Sequence, residues 1–373
     1  MGAYILKRLL LMIPTLLGIM LMTFAVIQFV PGGPIEQVIA KMQGTGTDAT
    51  ARISGNSGNE AGGNTQDQSF NATGGSGTTF KYRGAEGLDP EFIKSLEKQF
   101  GFDKPVHERF LLMLGNYLTF DFGQSYFRDR SVVSLMAEKM PVSISLGLWL
   151  TIVQYLVSIP LGIRKAVRDG STFDVWTSGV IIIGYAIPSF IFAIMLIVVF
   201  AGGSFYSLFP LRGLTSDNYA ELSALGKAAD YAWHLVLPLT AMGIGSFATM
   251  TLLTKNFFLD EIRKQYVVTA RAKGLSERQV LYGHVFRNAM LLVISGFPGA
   301  FLGAFFTGAL LIETVFSLDG LGYLFYKAAL DRDYPIIFAN LYIFTLVGLF
   351  IGLISDLMYT WIDPRIDFER RDV

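Results

Sequence analysis

The chain has 373 residues, 52% of them hydrophobic and 14% aromatic, no cysteine, and 30 basic side chains against 30 acidic ones. A net charge of zero makes no electrostatic case for nucleic acid, and the missing thiols exclude disulfides and thiolate metal sites without identifying a compartment. The apolar excess carries the information: six segments are apolar and long enough, at about 20 residues each, to cross a hydrocarbon layer of roughly 30 Å as helices.

The first, Leu9 to Val30, follows Lys7 and Arg8 as a secretory signal would. A signal's apolar region is about 7 to 15 residues long and ends at a small-residue cleavage site. This run is longer and meets the turn Pro31-Gly32-Gly33-Pro34, so it reads as an uncleaved first span. Residues Gln43 to Phe80 are rich in Gly, Ser, Asn and Thr. Such a stretch buries too little apolar surface to offset its ordering entropy, which predicts a flexible insert at about 43–80. Asn71-Ala72-Thr73 within it matches a glycosylation acceptor, a tripeptide too common to carry weight.

From Leu88 the composition changes. Asp89-Pro90-Glu91 opens a helix with a cap residue, proline at the first position and an acidic first turn. Phe92, Leu96 and Phe100 share one face, Gly101 stops the helix, and Phe110, Leu114 and Leu118 repeat the pattern in a second one. Two uses are open for this small element: a cap on the outer ends of the spans, or contact with an external partner. His107, Glu108 and Asp121 form no catalytic pattern.

The remaining spans are Pro141 to Ile163, Val175 to Phe200, Leu235 to Thr254, Met290 to Ile312 and Ile337 to Ile362. No span carries an ionisable residue at its middle, the polar members being Gln28, Gln154 and Asn340. Ion-driven transporters use buried carboxylates or histidines along the path, so the energy is expected from elsewhere. Prolines 14, 160, 188 and 298 predict kinks. His234 is expected at the membrane interface beside Trp233.

Lys and Arg are retained on the cytoplasmic side of short loops. One side holds fifteen: Lys7, Arg8, Arg164, Lys165, Arg168, seven between Lys255 and Arg287, then Arg365, Arg370 and Arg371. The other side's short loops hold Arg212, Lys227, Lys327 and Arg332. The expected protein is therefore all-α, with six transmembrane helices and both termini cytoplasmic. Residues 1–30 make the N-terminus and first span, 31–140 an external insertion between helices 1 and 2, 141–362 a five-helix core with a cytoplasmic loop at 255–289, and 363–373 a tail. Glu313, Asp319, Asp331, Arg332 and Asp333 are read as outer-loop charges, either solvated or meeting a partner.

Inside the cytoplasmic loop, Asp260 to Lys273 reads as one helix, with Ile262, Tyr266 and Ala270 on one face and acidic residues in its first turn. Gly274 ends it in the left-handed conformation that glycine adopts without a steric penalty. Ser276 and Gln279 make a capping-box pattern, and Val280, Leu281 and Val285 give the next short helix an apolar face. Arg271, Lys273, Arg278 and Arg287 surround the turn.

This loop resembles the cytoplasmic coupling loop, the EAA loop, of permease subunits in ABC importers of the dipeptide and oligopeptide group. Gly274 matches the motif's glycine and Ala270 its second alanine. Val268 and Thr269 stand where the general motif has glutamate and its first alanine, and His284 and Arg287 where other groups carry an Ile-x-Leu-Pro ending. Tyr4 to Arg8, the Pro31 to Pro34 turn, Gly101-Phe102-Asp103-Lys104-Pro105, Asp121-Phe122-Gly123-Gln124-Ser125, Gly184-Tyr185-Ala186-Ile187-Pro188, Glu313 to Ser317, Gly320-Leu321-Gly322, Arg332 to Pro335 and Asp363-Pro364-Arg365 extend the likeness over nearly the whole chain outside the insert, and the tail Asp363 to Glu369 adds to it within one branch. Phe120 replaces a glycine common in that family. Within it, the Yej-type peptide and microcin C branch is the nearest likeness.

The resemblance implies a type I ABC importer permease fold in the bacterial inner membrane, with peptide substrates. It also implies a second permease subunit, two cytoplasmic ATPase subunits or domains and a periplasmic peptide-binding protein. The ATPase-coupling residues it implies are Tyr266, Thr269, Ala270, Arg271, Lys273, Gly274, Leu275, Ser276, His284, Arg287 and Asn288. Arg271 and Arg287 have two open uses, contact with the ATPase or enforcement of topology beside lipid phosphates. The chain has no G-x-x-x-x-G-K-[ST] phosphate loop, so no catalytic residue, cofactor or metal is expected on it, and ATP is expected in the partner subunits. Two other classes stand beside this reading: a self-sufficient secondary transporter or channel, against which the ion-free spans speak, and a membrane enzyme or receptor built around the external element.

Overall fold

The computed structural model describes residues 2–29, 35, 38–39, 89–99, 102–203, 205–306 and 309–362. The predicted turn at Pro31 to Pro34, the insert at 43–80 with Asn71, the stop at Gly101 and the tail from Asp363 lie outside the described residues. Among the described residues the chain is helical, with one isolated antiparallel bridge between Gln124 and Ser131. In order the helices are α1 (Gly2–Phe29), α2 (Pro90–Gln99), α3 (Val106–Leu118), α4 (Val132–Val167), α5 (Thr172–Ala186), α6 (Ser189–Phe200) and α7 (Ala224–Ile262). There follow α8 (Gln265–Ala272), α9 (Glu277–Val280), α10 (Phe286–Ser295), α11 (Phe297–Phe306), α12 (Ala309–Val315), α13 (Leu321–Asp331) and α14 (Tyr334–Ile362).

Among the described residues, α1, α4, α7 and α14 are long and apolar enough to cross a membrane, and α5 with α6 makes a fifth span if a bent pair counts as one. That pair corrects the predicted span Val175 to Phe200, because the two halves meet at 98°. Pro188 has no N–H to continue the ladder, and Ile187 before it is extended, at φ −87° and ψ 121°. The predicted span Met290 to Ile312 is divided among α10, α11 and α12. By contrast α4 and α7 run to 36 and 39 residues. At 1.5 Å per residue these are rods of about 54 and 58 Å, well past the thickness of the hydrocarbon.

The residues divide into two compact units. The first, Met1–Leu16, Ser134–Tyr326 and Ile343–Val373, has two apolar centres. One gathers Leu146 and Leu150 of α4, Ala193 and Leu196 of α6, Leu235 and Ala241 of α7, and Ile312 and Phe316. The other lies around the loop described below. At one end of this unit Arg8 pairs with Asp356 at 2.5 Å and Tyr4 donates to the same carboxylate at 2.8 Å, joining the start of α1 to the end of α14. His234, expected at the interface, is buried in α7 with its Nδ1 2.8 Å from the Asp230 carbonyl.

Glu313 corrects the reading as an outer-loop charge, since it is wholly buried. Its carboxylate accepts from the Ser143 hydroxyl at 2.8 Å, from the Tyr323 N–H at 2.7 Å and from the Gly322 N–H, while Ser143 accepts from the Leu321 N–H at 2.8 Å. A first helical turn has N–H groups without intrahelical partners. Glu313 therefore caps α13 from the preceding helix, and burial is tolerated because every oxygen is bonded. Gly320 lies against this carboxylate so closely that a Cβ would occupy its place. Asp319, another of the five, pairs with Lys139.

The second unit comprises Leu17–Val133 and Lys327–Tyr342. Its α2 begins as expected, Asp89 accepting the Glu91 N–H at 2.9 Å, and Leu96 packs with Ile35 and Ile39. The predicted inner face of α3 is corrected: Leu118 is 70% exposed and Tyr117 is buried. The Tyr117 ring meets Phe122 at 4.8 Å and Tyr342 at 5.4 Å, so aromatic packing sets the register of the last turn. The chain then reverses through Phe120 at φ 57°, a conformation that strains a side-chain-bearing residue by about 1–2 kcal/mol and that glycine adopts freely. Asp333, a further presumed surface charge, is buried and accepts from Ser125 Oγ at 2.5 Å and the Tyr126 N–H at 3.1 Å. Asp331 and Arg332 are half-buried.

Two outcomes follow from these carboxylates. Gly320→Ala should lower stability by about 1–3 kcal/mol, the cost of overpacking, and a thermal melt of the purified protein in detergent reads it. Burial raises the Asp333 pKa above the ordinary carboxylate value, so the folded chain holds a proton that the unfolded chain releases. Its contribution is full below the unfolded value of about 3.9 and falls as pH rises through the folded one. Asp333→Asn should flatten that slope in denaturation curves taken between acid and neutral pH.

Candidate functional site

The loop at residues 255–289 begins inside a helix. α7 runs without interruption to Ile262, so Asp260 and Glu261 lie in its last turn, and the predicted single helix Asp260 to Lys273 is broken at Arg263-Lys264. A carboxylate near a helix C-terminus opposes the helix dipole. Glu261 is compensated by Lys264 Nζ at 2.5 Å and accepts from the Tyr266 hydroxyl at 2.9 Å, which holds the break in one geometry. Burial raises the Tyr266 pKa, and a bond from Asn288 lowers it by a smaller amount.

The end of α8 follows the glycine logic in detail. Gly274 has φ 82°, its N–H bonds the Arg271 carbonyl at 2.9 Å, and the Leu275 N–H bonds the Ala270 carbonyl at 3.4 Å. This paired pattern is a Schellman motif, and its usual apolar contact is present because Leu275 and Ala270 share one cluster. The space beside Gly274 is open, so the restriction at this position is backbone conformation alone. Ser276 then caps α9: its hydroxyl accepts the Gln279 N–H while the Gln279 side chain accepts the Ser276 N–H at 2.9 Å. A π-helical turn at Leu281–Val285 leads into α10.

One side of this element is seated. Val267, Ala270, Val280, Val285 and Ala289 are buried against Ile163 and Ala166 of α4 and Met250 and Phe258 of α7. The inner face is thus centred on Val267 and Ala270, while Ile262 and Tyr266 are half-buried. The other side is open: Thr269, Arg271, Lys273, Gly274, Ser276, His284, Arg287 and Asn288 are all exposed. Val268, the position matched to the motif's glutamate, and Tyr282 are exposed beside them, at 53% and 56%, and neither was among the expected coupling residues. An apolar residue on a polar face was the only signal. Arg271 is engaged within the loop, its guanidinium bonding both oxygens of Glu277 at 2.9 and 3.0 Å and bracing α8 to α9. An exposed pair of this kind contributes about 0.2–1 kcal/mol, so its value is geometric.

Next to the seated side lies a charge cluster that the sequence did not reveal. Lys165, counted among the solvated loop cations, is wholly buried. Its ammonium is 2.9 Å from the Asp174 carboxylate and donates to Thr177 Oγ1 at 2.7 Å and Ser178 Oγ at 2.8 Å. Lys255 of α7 reaches the other Asp174 oxygen at 2.7 Å and Asp169 at 2.9 Å. Asp174 therefore joins the end of α4 and the start of α5 to α7, within two turns of the break at Arg263. Removing one partner of a buried pair strands a charge, so Asp174→Asn should cost about 3–5 kcal/mol in a thermal unfolding measurement.

Chemically the element offers a rigid, basic, partly apolar surface on a seated base, suited to binding another surface and moving with it. Residues 158–368 match the family described as the binding-protein-dependent transport system inner membrane component. The peptidoglycan transport system permease protein YejB of Agrobacterium fabrum (strain C58) is 66% identical over 375 residues, covering 100% of both chains. The inner membrane ABC transporter permease protein YejB of Escherichia coli O157:H7 is 57% identical over 374 residues, with the same coverage. The oligopeptide transport system permease protein AppB of Bacillus subtilis (strain 168) is 31% identical over 373 residues, 99% of this chain and 100% of that one.

Proposed function

The chain belongs to the binding-protein-dependent transport inner membrane component family, and on that premise we propose that it is a non-catalytic permease subunit of an ATP-driven importer of peptides or peptide-like compounds. It sits in the bacterial inner membrane with both termini in the cytoplasm, as a type I permease of six spans. The junction of Tyr4 and Arg8 with Asp356, which brings the first and last helices together at one end, supports a common side for the termini. Two of the relatives carry peptidoglycan and oligopeptide transport in their names, and peptide bonds are the chemistry these share.

The observation that carries the reading is the element at 265–289, seated on α4 and α7 and open on its other side. In this mechanism it is the docking surface for a cytoplasmic ATPase subunit. The chain itself binds no cofactor, and ATP is bound and hydrolysed by two partner subunits or domains. A second permease chain completes the path and an external peptide-binding protein delivers the substrate. ATPase closure moves the docked element, and because its inner face is packed without slack, α4 and α7 move with it. ATP thereby biases a two-state equilibrium between inward-open and outward-open arrangements.

Gly274 is where this reading is tested. A β-branched side chain at φ 82° strains the turn by about 1–2 kcal/mol without a clash. Gly274→Val should leave membrane insertion largely intact while uptake and substrate-stimulated ATP hydrolysis by the assembled complex fall to background. Normal uptake in that variant would overturn the proposal.

A further inference from the structure

The break between α5 and α6 opens onto a cavity of about 620 Å³ within the first unit, lined by the broken segment, by α4, by α7 and by α11. Among the described residues no charged side chain lines it. Its polar groups are neutral: Gln154, Tyr185, Ser189, Ser246 and Thr249. Gln154 is 7% exposed and its amide nitrogen donates to the Ser246 carbonyl at 3.1 Å. The hydroxyls of Ser246 and Thr249 donate to carbonyls of their own helix, which leaves their oxygen lone pairs as acceptors towards the cavity.

Irregular backbone at membrane depth is tolerated only where it is buried in protein or lines a water-filled space. Pro188 brings no N–H, so the last turn of α5 keeps carbonyls without intrahelical donors, and the first turn of α6 keeps N–H groups without intrahelical acceptors. The cavity thus holds neutral donors and acceptors side by side. Its volume lies in the range of about 300–1,000 Å³ typical of small-molecule sites. A peptide backbone presents one donor and one acceptor per residue and carries no charge between its ends.

From this match we infer that the cavity is a substrate contact within the membrane, and that it binds the backbone of a short peptide in place of its side chains. The inference rests on the permease reading above and names the site that reading lacks. Neutral hydrogen-bonding groups next to a backbone break complement any peptide sequence equally, so side-chain selection belongs to another part of the system. Gly245, on the cavity wall, has open space around the place a Cβ would take, so a small side chain is admitted there.

The chain contains no cysteine, so a single introduced thiol is its only label site. Gly245→Cys and Thr249→Cys would be made in separate chains, with Leu225→Cys, exposed in the first turn of α7 ahead of the predicted span and outside the cavity lining, as control. The complete complex with its partner subunits, in lipid nanodiscs, is treated with a membrane-impermeant maleimide in each nucleotide state. A tripeptide shown to be taken up by the unmodified complex, or its backbone N-methylated analogue, is added in parallel. The expected result is labelling of both cavity thiols in at least one state. At ten times its Kd the tripeptide should slow that labelling about tenfold, the N-methylated analogue should protect far less, and labelling of Leu225→Cys should be unaffected. Labelling that ignores the peptide, thiols sealed in every state, or equal protection by the analogue would each overturn the inference. Failure of the unmodified complex to take up peptide with ATP would instead overturn the permease reading itself.

Discussion

The Asp174 carboxylate, held between Lys165 and Lys255, is the interaction on which the working half of the molecule depends. A buried ion pair is seldom a source of net stability, because desolvation offsets most of its attraction. What it supplies is position. Each lysine has one place where its charge is compensated, so α4, α5 and α7 have one register relative to each other. The element at 265–289 packs against α4 and α7, and α5 leads to the break that opens the cavity. Both features inherit their placement from this carboxylate.

The same device recurs at Glu313 and Asp333, each inside one unit. Both are buried carboxylates that accept backbone N–H groups from a segment whose amides have no secondary-structure partner. In each case a connection is fixed by an acceptor from outside it, ten residues away for Glu313 and 207 for Asp333, and an adjacent hydroxyl, Ser143 or Ser125, completes the shell. Hydrogen bonds to charged groups are stronger than those between neutral ones, which suits them to holding short connections that bury little apolar area.

What could be read in the sequence was whatever depends on near neighbours. The Gly274 turn and the Ser276–Gln279 cap were legible because both are set by residues within five positions of one another. Long apolar runs announced α1, α4, α7 and α14 by composition. The break at Pro188 was visible as a proline, but its angle of 98° was not, since that is decided by packing across α7. Asp174 and Lys255 are 81 residues apart, and Ser143 and Glu313 are 170 apart, so their bonds have no local signature. Lys165 in the run Arg164-Lys165-Ala166-Val167-Arg168 had the composition of a solvated loop and lies in the core. Phe120 was legible as a departure from the family's glycine, and it adopts the left-handed conformation that glycine takes freely.

The uninterrupted length of α7 has a kinematic consequence. Its 39 residues carry cavity-lining groups near the middle and Lys255 further on, and the element at 265–289 begins after two intervening residues. A rod of about 58 Å that pivots near its centre by roughly 10° displaces each end by about 5 Å. The displacement at the cavity, close to the fulcrum, is far smaller. Such an arrangement acts as a reduction gear: in the proposed mechanism a broad stroke at the docking surface would become a fine adjustment at the cavity, with the force available there multiplied by the same ratio.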